Sequence, residues 1–224
     1  MGALYQDRFD AGRKLATHLQ AYANRPGVLV LALPRGGVPV AFAVASSLHA
    51  PLDVFLVRKL GVPGHEELAL GAIATGKIRV LNDEVIRGLH ISEQTIERVT
   101  QQEEHELVRR EQLYRDDRPY PTLQDRIVIL IDDGLATGAS MRAAARAVRR
   151  QHPARLVVAV PVAAPSVCDA FRAEVDETIC AHTPNPLYGV GWWYEDFSQT
   201  SDQEVHDLLA RAEQAQSVAG SKNQ

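Results

Sequence analysis

The sequence predicts an α/β domain with a mostly parallel, twisted sheet flanked by helices. Residues 127–131 are five consecutive aliphatic residues, as expected for a strand that a parallel sheet buries on both faces. Other short aliphatic runs alternate with helical patterns along the chain, which is the order of β–α–β units. The 224 residues, 46% of them hydrophobic, predict a single domain, 1–224, with a full core.

The first half is predicted to contain two strands of this sheet. A helix over 7–22 has Phe9, Leu15 and Leu19 on one side. Strands are expected at 28–33 and 52–57, with a helix of small residues at 38–48 between them. Residues 58–70 are predicted to be a loop because glycine and proline interrupt them, and 71–81 a hairpin.

The second half is predicted to supply the central strand. Ser92 is expected to cap a long helix that ends near Arg115, since acids at 93 and 97 follow it. The aliphatic strand 126–131 comes next and leads into a helix at 141–150. Two more strands, 155–161 and 177–180, flank a helix at 165–173, and a last helix covers 201–216.

Composition excludes several classes of function. A net charge of −4 argues against a nucleic-acid partner. No apolar run approaches the length of a membrane span, and charges at 7, 8 and 10 argue against a signal peptide. Only Cys168 and Cys180 are present, so we expect reduced, buried thiols and a cytoplasmic location.

The run after the central strand has the pattern of a site for a phosphorylated sugar. Asp132 and Asp133 end the strand, and a short loop with two glycines, a threonine and a serine leads into a helix. Loop amides and a helix N-terminus can bind a phosphate, and carboxylates can hold ribose hydroxyls directly or through Mg²⁺. The alternative is an ordinary turn whose acids cap the next helix.

This run resembles the signature of the type I phosphoribosyltransferases, which bind 5-phosphoribosyl-1-pyrophosphate (the donor). The resemblance implies their fold, with a small hood or lid segment, and an enzyme that depends on Mg²⁺. It also implies that Asp132 and Asp133 are catalytic and bind the metal. The loop that would bind the 5-phosphate comprises Gly134, Leu135, Ala136, Thr137, Gly138, Ala139 and Ser140.

Two earlier segments carry further parts of the resemblance. Residues 34–37, Pro-Arg-Gly-Gly, are similar to the family's pyrophosphate-binding loop, which implies that Arg35, Gly36 and Gly37 bind the donor and that Pro34–Arg35 is a cis peptide. Residues 57–67 resemble adenine phosphoribosyltransferase, where a basic pair meets pyrophosphate and a flexible loop closes over the site. The residues this implicates are Arg58, Lys59, Glu66 and Glu67, with His65 as a further candidate for handling the acceptor's proton. For the basic pair the alternative is two solvated side chains.

The segment 182–200 is predicted to be the hood that recognises the acceptor. Of 13 aromatic residues, five lie between 188 and 197. The segment resembles the base-recognition part of hypoxanthine-guanine phosphoribosyltransferase, which implies that Tyr188 stacks on the acceptor and that Glu195 lies near the metal. A hydrophobic lid or a subunit contact is the alternative. Ala136 stands where that enzyme has an acid, so the acceptor is not assigned to hypoxanthine or guanine.

Over most of its length the chain resembles bacterial phosphoribosyltransferase-like proteins of unassigned acceptor. A shared run at 197–202, Phe-Ser-Gln-Thr-Ser-Asp, has no physical interpretation from sequence beyond Ser201 as a helix cap. The function expected is transfer of ribose 5-phosphate to a purine-like base, by a homodimer, without nucleic acid or membrane. A ligand-sensing regulator without catalysis and a nucleotide hydrolase are the alternatives.

Overall fold

The structure, a computed structural model, describes residues 2–116 and 118–221, except for the side chains of Glu66, Glu67 and residues 218–221. The strands of this part are β1 Val28–Ala32, β2 Leu52–Val54, β3 Val57–Val62, β4 His65–Ala74, β5 Ile78–Leu81, β6 Ile127–Ile131, β7 Arg155–Val162 and β8 Glu177–His182. The helices are α1 Arg8–His18, α2 Gly37–Leu48, α3 Asp83–Gly88, α4 Glu93–Arg115, α5 Ala139–Arg149, α6 Pro165–Arg172 and α7 Asp202–Ser221.

The main sheet is five-stranded and parallel throughout, in the order β2-β1-β6-β7-β8. Every residue of β1 and β6 is buried, which explains their unbroken aliphatic sequences. Helices α1, α2 and α7 cover one face and α5 and α6 the other, so that Val30 and Leu31 enter different cores. The predicted α/β class with a mostly parallel sheet is confirmed.

A second sheet corrects the prediction for residues 52–70. The chain leaves the main sheet after Val54, and β3, β4 and β5 form a separate antiparallel sheet. Residues 58–70 are therefore strands rather than a loop. Three residues indicated a loop. Of these, Pro63 and Gly64 make the turn between β3 and β4, with Gly64 at a φ of +79°, and Gly61 lies in β3 at a shift in register. The predicted 71–81 hairpin is confirmed as β4 and β5.

The helix predictions hold in outline. Ser92 caps α4, because its side chain accepts a hydrogen bond from the Thr95 amide at 3.2 Å. The N-terminal helix is shorter than predicted and is followed by one 3₁₀ turn at 20–22. The short helix α3 and a 3₁₀ turn at 190–193 were not predicted. Among the described helices, none has both the length and the hydrophobicity to cross a bilayer.

The prediction of two reduced thiols is wrong. Cys168 on α6 and Cys180 on β8 form a disulfide, with their Cα atoms 6.5 Å apart. Helix α6 packs on β8 and brings the two residues together, although they are separated by 12 positions in sequence. The bond therefore ties a surface helix to the edge strand of the main sheet.

Candidate active site

The acid pair and the loop after β1 meet at the carboxyl edge of the main sheet. A Cβ atom at Gly36 would lie 2.0 Å from Asp133 Oδ2, and one at Gly37 would lie 2.9 Å from Asp132 Cα. The loop 34–37 therefore rests directly on Asp132 and Asp133, and only glycine allows that approach. The Pro34–Arg35 peptide is cis, as the family resemblance implied.

The two carboxylates have different surroundings. Asp133 Oδ2 accepts a hydrogen bond from Arg8 Nε at 2.9 Å, whereas Asp132 Oδ1 accepts one from the Asp133 amide at 2.9 Å. Burial, with a smaller contribution from the adjacent Asp133 charge, raises the pKa of Asp132 well above its usual value. Burial also raises the pKa of Asp133, and Arg8 opposes that rise. Asp133 is thus the carboxylate whose charge has a partner.

The loop 134–138 has the features of an anion site. Leu135 fixes its start: its amide donates to Val162 O at 2.9 Å and its carbonyl accepts from the Ala164 amide at 3.2 Å. The amides of residues 136–138 have no backbone acceptor among the described residues. Gly138 has a φ of +71° and lies so close to Phe171 that a Cβ would be 2.8 Å from the ring. This loop therefore offers N–H groups beside the start of α5.

The basic pair is divided between two faces of the hairpin sheet. Successive side chains of a strand point in opposite directions. Arg58 points towards α4, where its Nη2 lies 2.7 Å from Glu103 Oε2. Lys59 points towards α5 and lines a cavity of about 240 Å³ that also includes Ser140 of the predicted phosphate loop. The structure therefore brings Lys59, and not Arg58, towards the loop.

The aromatic segment, residues 188–197, lies against the loop 134–138. Val190 packs so closely on Gly134 that a Cβ there would lie 2.6 Å from Val190 Cγ1. Tyr188 is 77% exposed and Trp192 70% exposed, with their ring centroids 5.9 Å apart. Trp193, in contrast, is buried and donates from Nε1 to Leu187 O at 2.9 Å. The segment thus combines one core anchor with an open aromatic pair beside the acid-pair edge.

A comparison with protein families shows which family this chain belongs to. The phosphoribosyl transferase domain matches residues 2–182, most of the chain. This chain belongs to the phosphoribosyl transferase family. The match covers the acid pair, the loop after it and the loop after β1, and it ends before the aromatic segment.

Three relatives illustrate the family. Two are Mycobacterium tuberculosis proteins, "Putative phosphoribosyl transferase MT0597" of strain CDC 1551 and "Putative phosphoribosyl transferase Rv0571c" of strain H37Rv, each 46% identical over 217 residues, 97% of this chain and 49% of theirs. The chain therefore spans about half the length of these curated relatives. The crystal structure of TT1426 from Thermus thermophilus is 40% identical, with a TM-score of 0.83, over 94% of this chain and 99% of that one.

Not every predicted site residue joins the acid pair. Arg35 Nη1 lies 3.8 Å from Asp202 Oδ1 on α7, while its backbone continues into the loop on Asp133. Glu195 is exposed, and its amide donates to Tyr5 O at 2.9 Å. His65 is exposed next to the β3–β4 turn. Glu66 and Glu67 lie in β4, and their side chains are outside the described part of the structure.

The two carboxylates of the acid pair are suited to a Mg²⁺ ion that binds together with its substrate. The described residues contain no group of three or more His, Cys, Asp or Glu arranged to hold a metal, so Glu195 does not complete one with Asp132 and Asp133. Mg²⁺ commonly binds through one or two carboxylates together with substrate phosphates and water. Two adjacent carboxylates match that mode rather than a cage made by protein alone.

Sequence reasoning missed Arg8. Its side chain is 11% exposed, and it contacts Asp133, the Phe197 ring and the Ser198 carbonyl. Nothing local marks this residue among the charges of α1, since its partners lie 125 to 190 positions away. The shared run 197–202 was the only signal of these contacts, and it had no physical interpretation without the fold.

Proposed function

We propose that this protein transfers ribose 5-phosphate from 5-phosphoribosyl-1-pyrophosphate to a nitrogenous, purine-like acceptor and releases pyrophosphate. The observation that carries the proposal is the contact of Gly36 and Gly37 with Asp132 and Asp133 at one sheet edge. It sets a candidate pyrophosphate loop against the carboxylates that would hold the ribose. The loop 134–138 continues from the same carboxylates and would take the 5-phosphate.

In this reaction a ring nitrogen of the acceptor attacks the anomeric carbon, and the bond to pyrophosphate breaks. Positive charge develops on the ribose ring and negative charge on the leaving group. Asp132 and Asp133 would hold the ribose hydroxyls and favour the cationic ring. Arg35 and Lys59 would hold the pyrophosphate, and Mg²⁺, when bound, would neutralise part of its charge. Binding of the remote 5-phosphate would position the reacting carbon.

The acceptor would lie beside the aromatic pair. Tyr188 and Trp192 expose flat apolar surface next to Gly134, and a heterocycle can stack on such a surface. The candidates for removing the acceptor's proton are Glu66, Glu67 and His65, which belong to a hairpin that would close over the site. A homodimer is proposed on family resemblance alone. The cytoplasmic location was expected from two reduced thiols, and the Cys168–Cys180 disulfide removes that argument for it.

The test is pyrophosphate release from the donor in the presence of Mg²⁺, with a panel of nucleobases and small heterocycles. We expect release only with an acceptor, and its loss in Asp133→Asn. Release without any acceptor would indicate a hydrolase. Donor binding without release for any acceptor would favour a ligand-sensing regulator, and a protein that does not bind the donor at all would contradict the proposal.

A further inference from the structure

The run 197–202 and Arg8 connect two parts of the candidate site that are far apart in sequence. Arg8 Nε lies 2.9 Å from Asp133 Oδ2, and Arg8 Nη1 donates to Ser198 O at 2.7 Å. The Arg8 guanidinium carbon is 3.9 Å from the centroid of the Phe197 ring, within the range of a cation–π contact. Three different contacts therefore hold one nearly buried guanidinium against the acid pair.

The Phe197 ring is itself fixed from the other side. It stacks on Tyr194 with centroids 5.0 Å apart, and a Cβ at Gly191 would lie 2.6 Å from its Cδ1. Tyr194 donates from its hydroxyl to Asp133 O at 2.6 Å. The Asp133 carbonyl is thus bonded directly to the segment that contains Phe197, and the Asp133 side chain is linked to that segment through Arg8.

The other end of the run reaches the loop after β1. Asp202 Oδ1 accepts a hydrogen bond from the Tyr114 hydroxyl and lies 3.8 Å from Arg35 Nη1. Ser201 supports this position by capping α7, since its Oγ accepts from the Glu204 amide at 3.1 Å. The carboxylate at the start of α7 therefore orients the arginine of the pyrophosphate loop.

We infer that Arg8, Phe197, Ser198 and Asp202 form a brace that positions both halves of the donor site, Asp133 through Arg8 and Arg35 through Asp202. The brace residues are positioning residues, and the inference rests on the proposed function. Its physical basis is preorganisation: groups that are already held in the binding geometry lose less freedom when the donor arrives. The brace also explains why the segment 197–202 carries a phenylalanine at one end and an aspartate at the other.

The test is donor affinity, measured by calorimetry with 5-phosphoribosyl-1-pyrophosphate and Mg²⁺, so that no acceptor is needed. Arg8→Met should weaken binding about tenfold or more, the size expected when a charge-assisted contact is lost. Arg8→Lys should recover part of the loss, because it keeps the charge but not the planar stacking. Asp202→Asn should weaken binding several-fold through Arg35.

The matched control is Arg13→Met. Arg13 lies on the same helix, its side chain is 59% exposed, and among the described residues its ion pair is a 3.7 Å contact with Asp10. The Arg13→Met variant should bind the donor with wild-type affinity. Phe197→Leu, which keeps an apolar side chain but removes the ring, serves if Arg8→Met does not fold, and it should weaken donor binding while thermal unfolding stays cooperative.

Two negative results have different meanings. A wild type that does not bind the donor would overturn the proposed function, and this inference with it. A wild type that binds, with folded Arg8→Met or Phe197→Leu binding equally well, would overturn the brace alone. If Arg8→Lys binds no better than Arg8→Met while both are weaker than the wild type, the brace acts through the planar contacts of the guanidinium with Phe197 and Ser198 rather than through charge alone.

Discussion

The acid-pair edge, which is the carboxyl edge of the main sheet at Asp132 and Asp133, brings together residues that are distant in sequence. The β3–β5 hairpin sheet instead separates two residues that are adjacent in sequence. At the edge, residues 8, 36, 133 and 198 come together, although up to 190 positions separate them. In the hairpin, the adjacent Arg58 and Lys59 point to opposite faces and contact different helices. Parallel strands gather distant residues at their shared ends, whereas a single strand separates its own neighbours. Four predictions test this contrast.

The largest effect on donor binding is expected where the backbone of Gly36 lies against Asp133. Gly36→Val would place a side chain where Asp133 Oδ2 now lies, because even a Cβ would be 2.0 Å from that atom. We expect donor affinity to fall about a hundredfold, as displacements of about 1 Å in a site can cost. Calorimetry with the donor measures this. Gly88→Ala is the control, since a Cβ there has open space; wild-type affinity in Gly36→Val would disprove the contact.

Substitutions of the two basic residues in the hairpin sheet should have unequal effects on donor binding. Lys59→Met should weaken donor binding about tenfold, since a charge-assisted contact is worth about 1.5–3 kcal/mol. Arg58→Met should leave donor binding unchanged and lower the free energy of unfolding by about 1 kcal/mol or less, as expected for a partly exposed pair with Glu103. Calorimetry and urea unfolding separate the two. Equal losses of donor affinity would mean that both cations reach the site.

The partly buried carboxylate of Asp132 should lower the stability of the folded protein at neutral pH. Burial raises the pKa of Asp132 in the folded state, so its ionisation favours unfolding. Stability from this group is complete below the unfolded pKa of about 3.9 and is lost as pH rises through the folded pKa. Asp132→Asn should therefore raise the free energy of unfolding at pH 7 by about 0.5–2 kcal/mol, with activity lost.

The pH dependence is the decisive part of that measurement. The gain in Asp132→Asn should shrink towards pH 4, because the raised pKa keeps the wild-type carboxyl mostly protonated in the folded state while it is about half protonated in the unfolded state. Asp169→Asn provides the comparison, since Asp169 is exposed in a surface pair with Arg172. A gain that is the same at pH 4 and pH 7 would show that ionisation of Asp132 is not its cause.

The smallest effect should come from the open aromatic pair. Tyr188→Ala should raise the acceptor's KM several-fold and hardly change donor affinity, since stacking adds about 0.5–1.5 kcal/mol beyond burial. Tyr188→Phe should be mild. The reference is Trp193→Phe, a buried neighbour that should reduce thermal stability instead. Equal weakening of donor and acceptor by Tyr188→Ala would identify the segment as a lid.

The sequence predicted the parts of the site that depend on local chain geometry. The aliphatic run of β6, the acid pair and the Gly/Thr loop are contiguous, so their arrangement follows from one strand–loop–helix unit. The loop after β1 could be placed beside them because carboxyl ends of parallel strands share an edge. The α/β class itself followed from the same buried strands.

The wrong and the missing predictions also have identifiable physical causes. Pro63 and Gly64 indicate a break in regular structure, and a hairpin turn satisfies that signal as well as a long loop does. The Cys168–Cys180 disulfide depends on α6 packing over β8, which no spacing rule predicts. Arg8 depends on a contact across 125 positions, and a charged residue on an amphipathic helix usually indicates only solvent exposure.

The pairing of residues 4–6 with 193–196 has a consequence for biosynthesis. The Tyr5 amide donates to Trp193 O at 3.1 Å and the Glu195 amide to Tyr5 O at 2.9 Å, so residues that precede α1 pair with a segment that follows the last strand of the main sheet. On the ribosome, the first helix and the β1–α2 unit can form early, but Asp133 gains its arginine partner's full support only after residue 198 has emerged. All five strands of the main sheet therefore leave the ribosome before Ser198, the residue that completes the contacts of Arg8 with Asp133 and the 197–202 run.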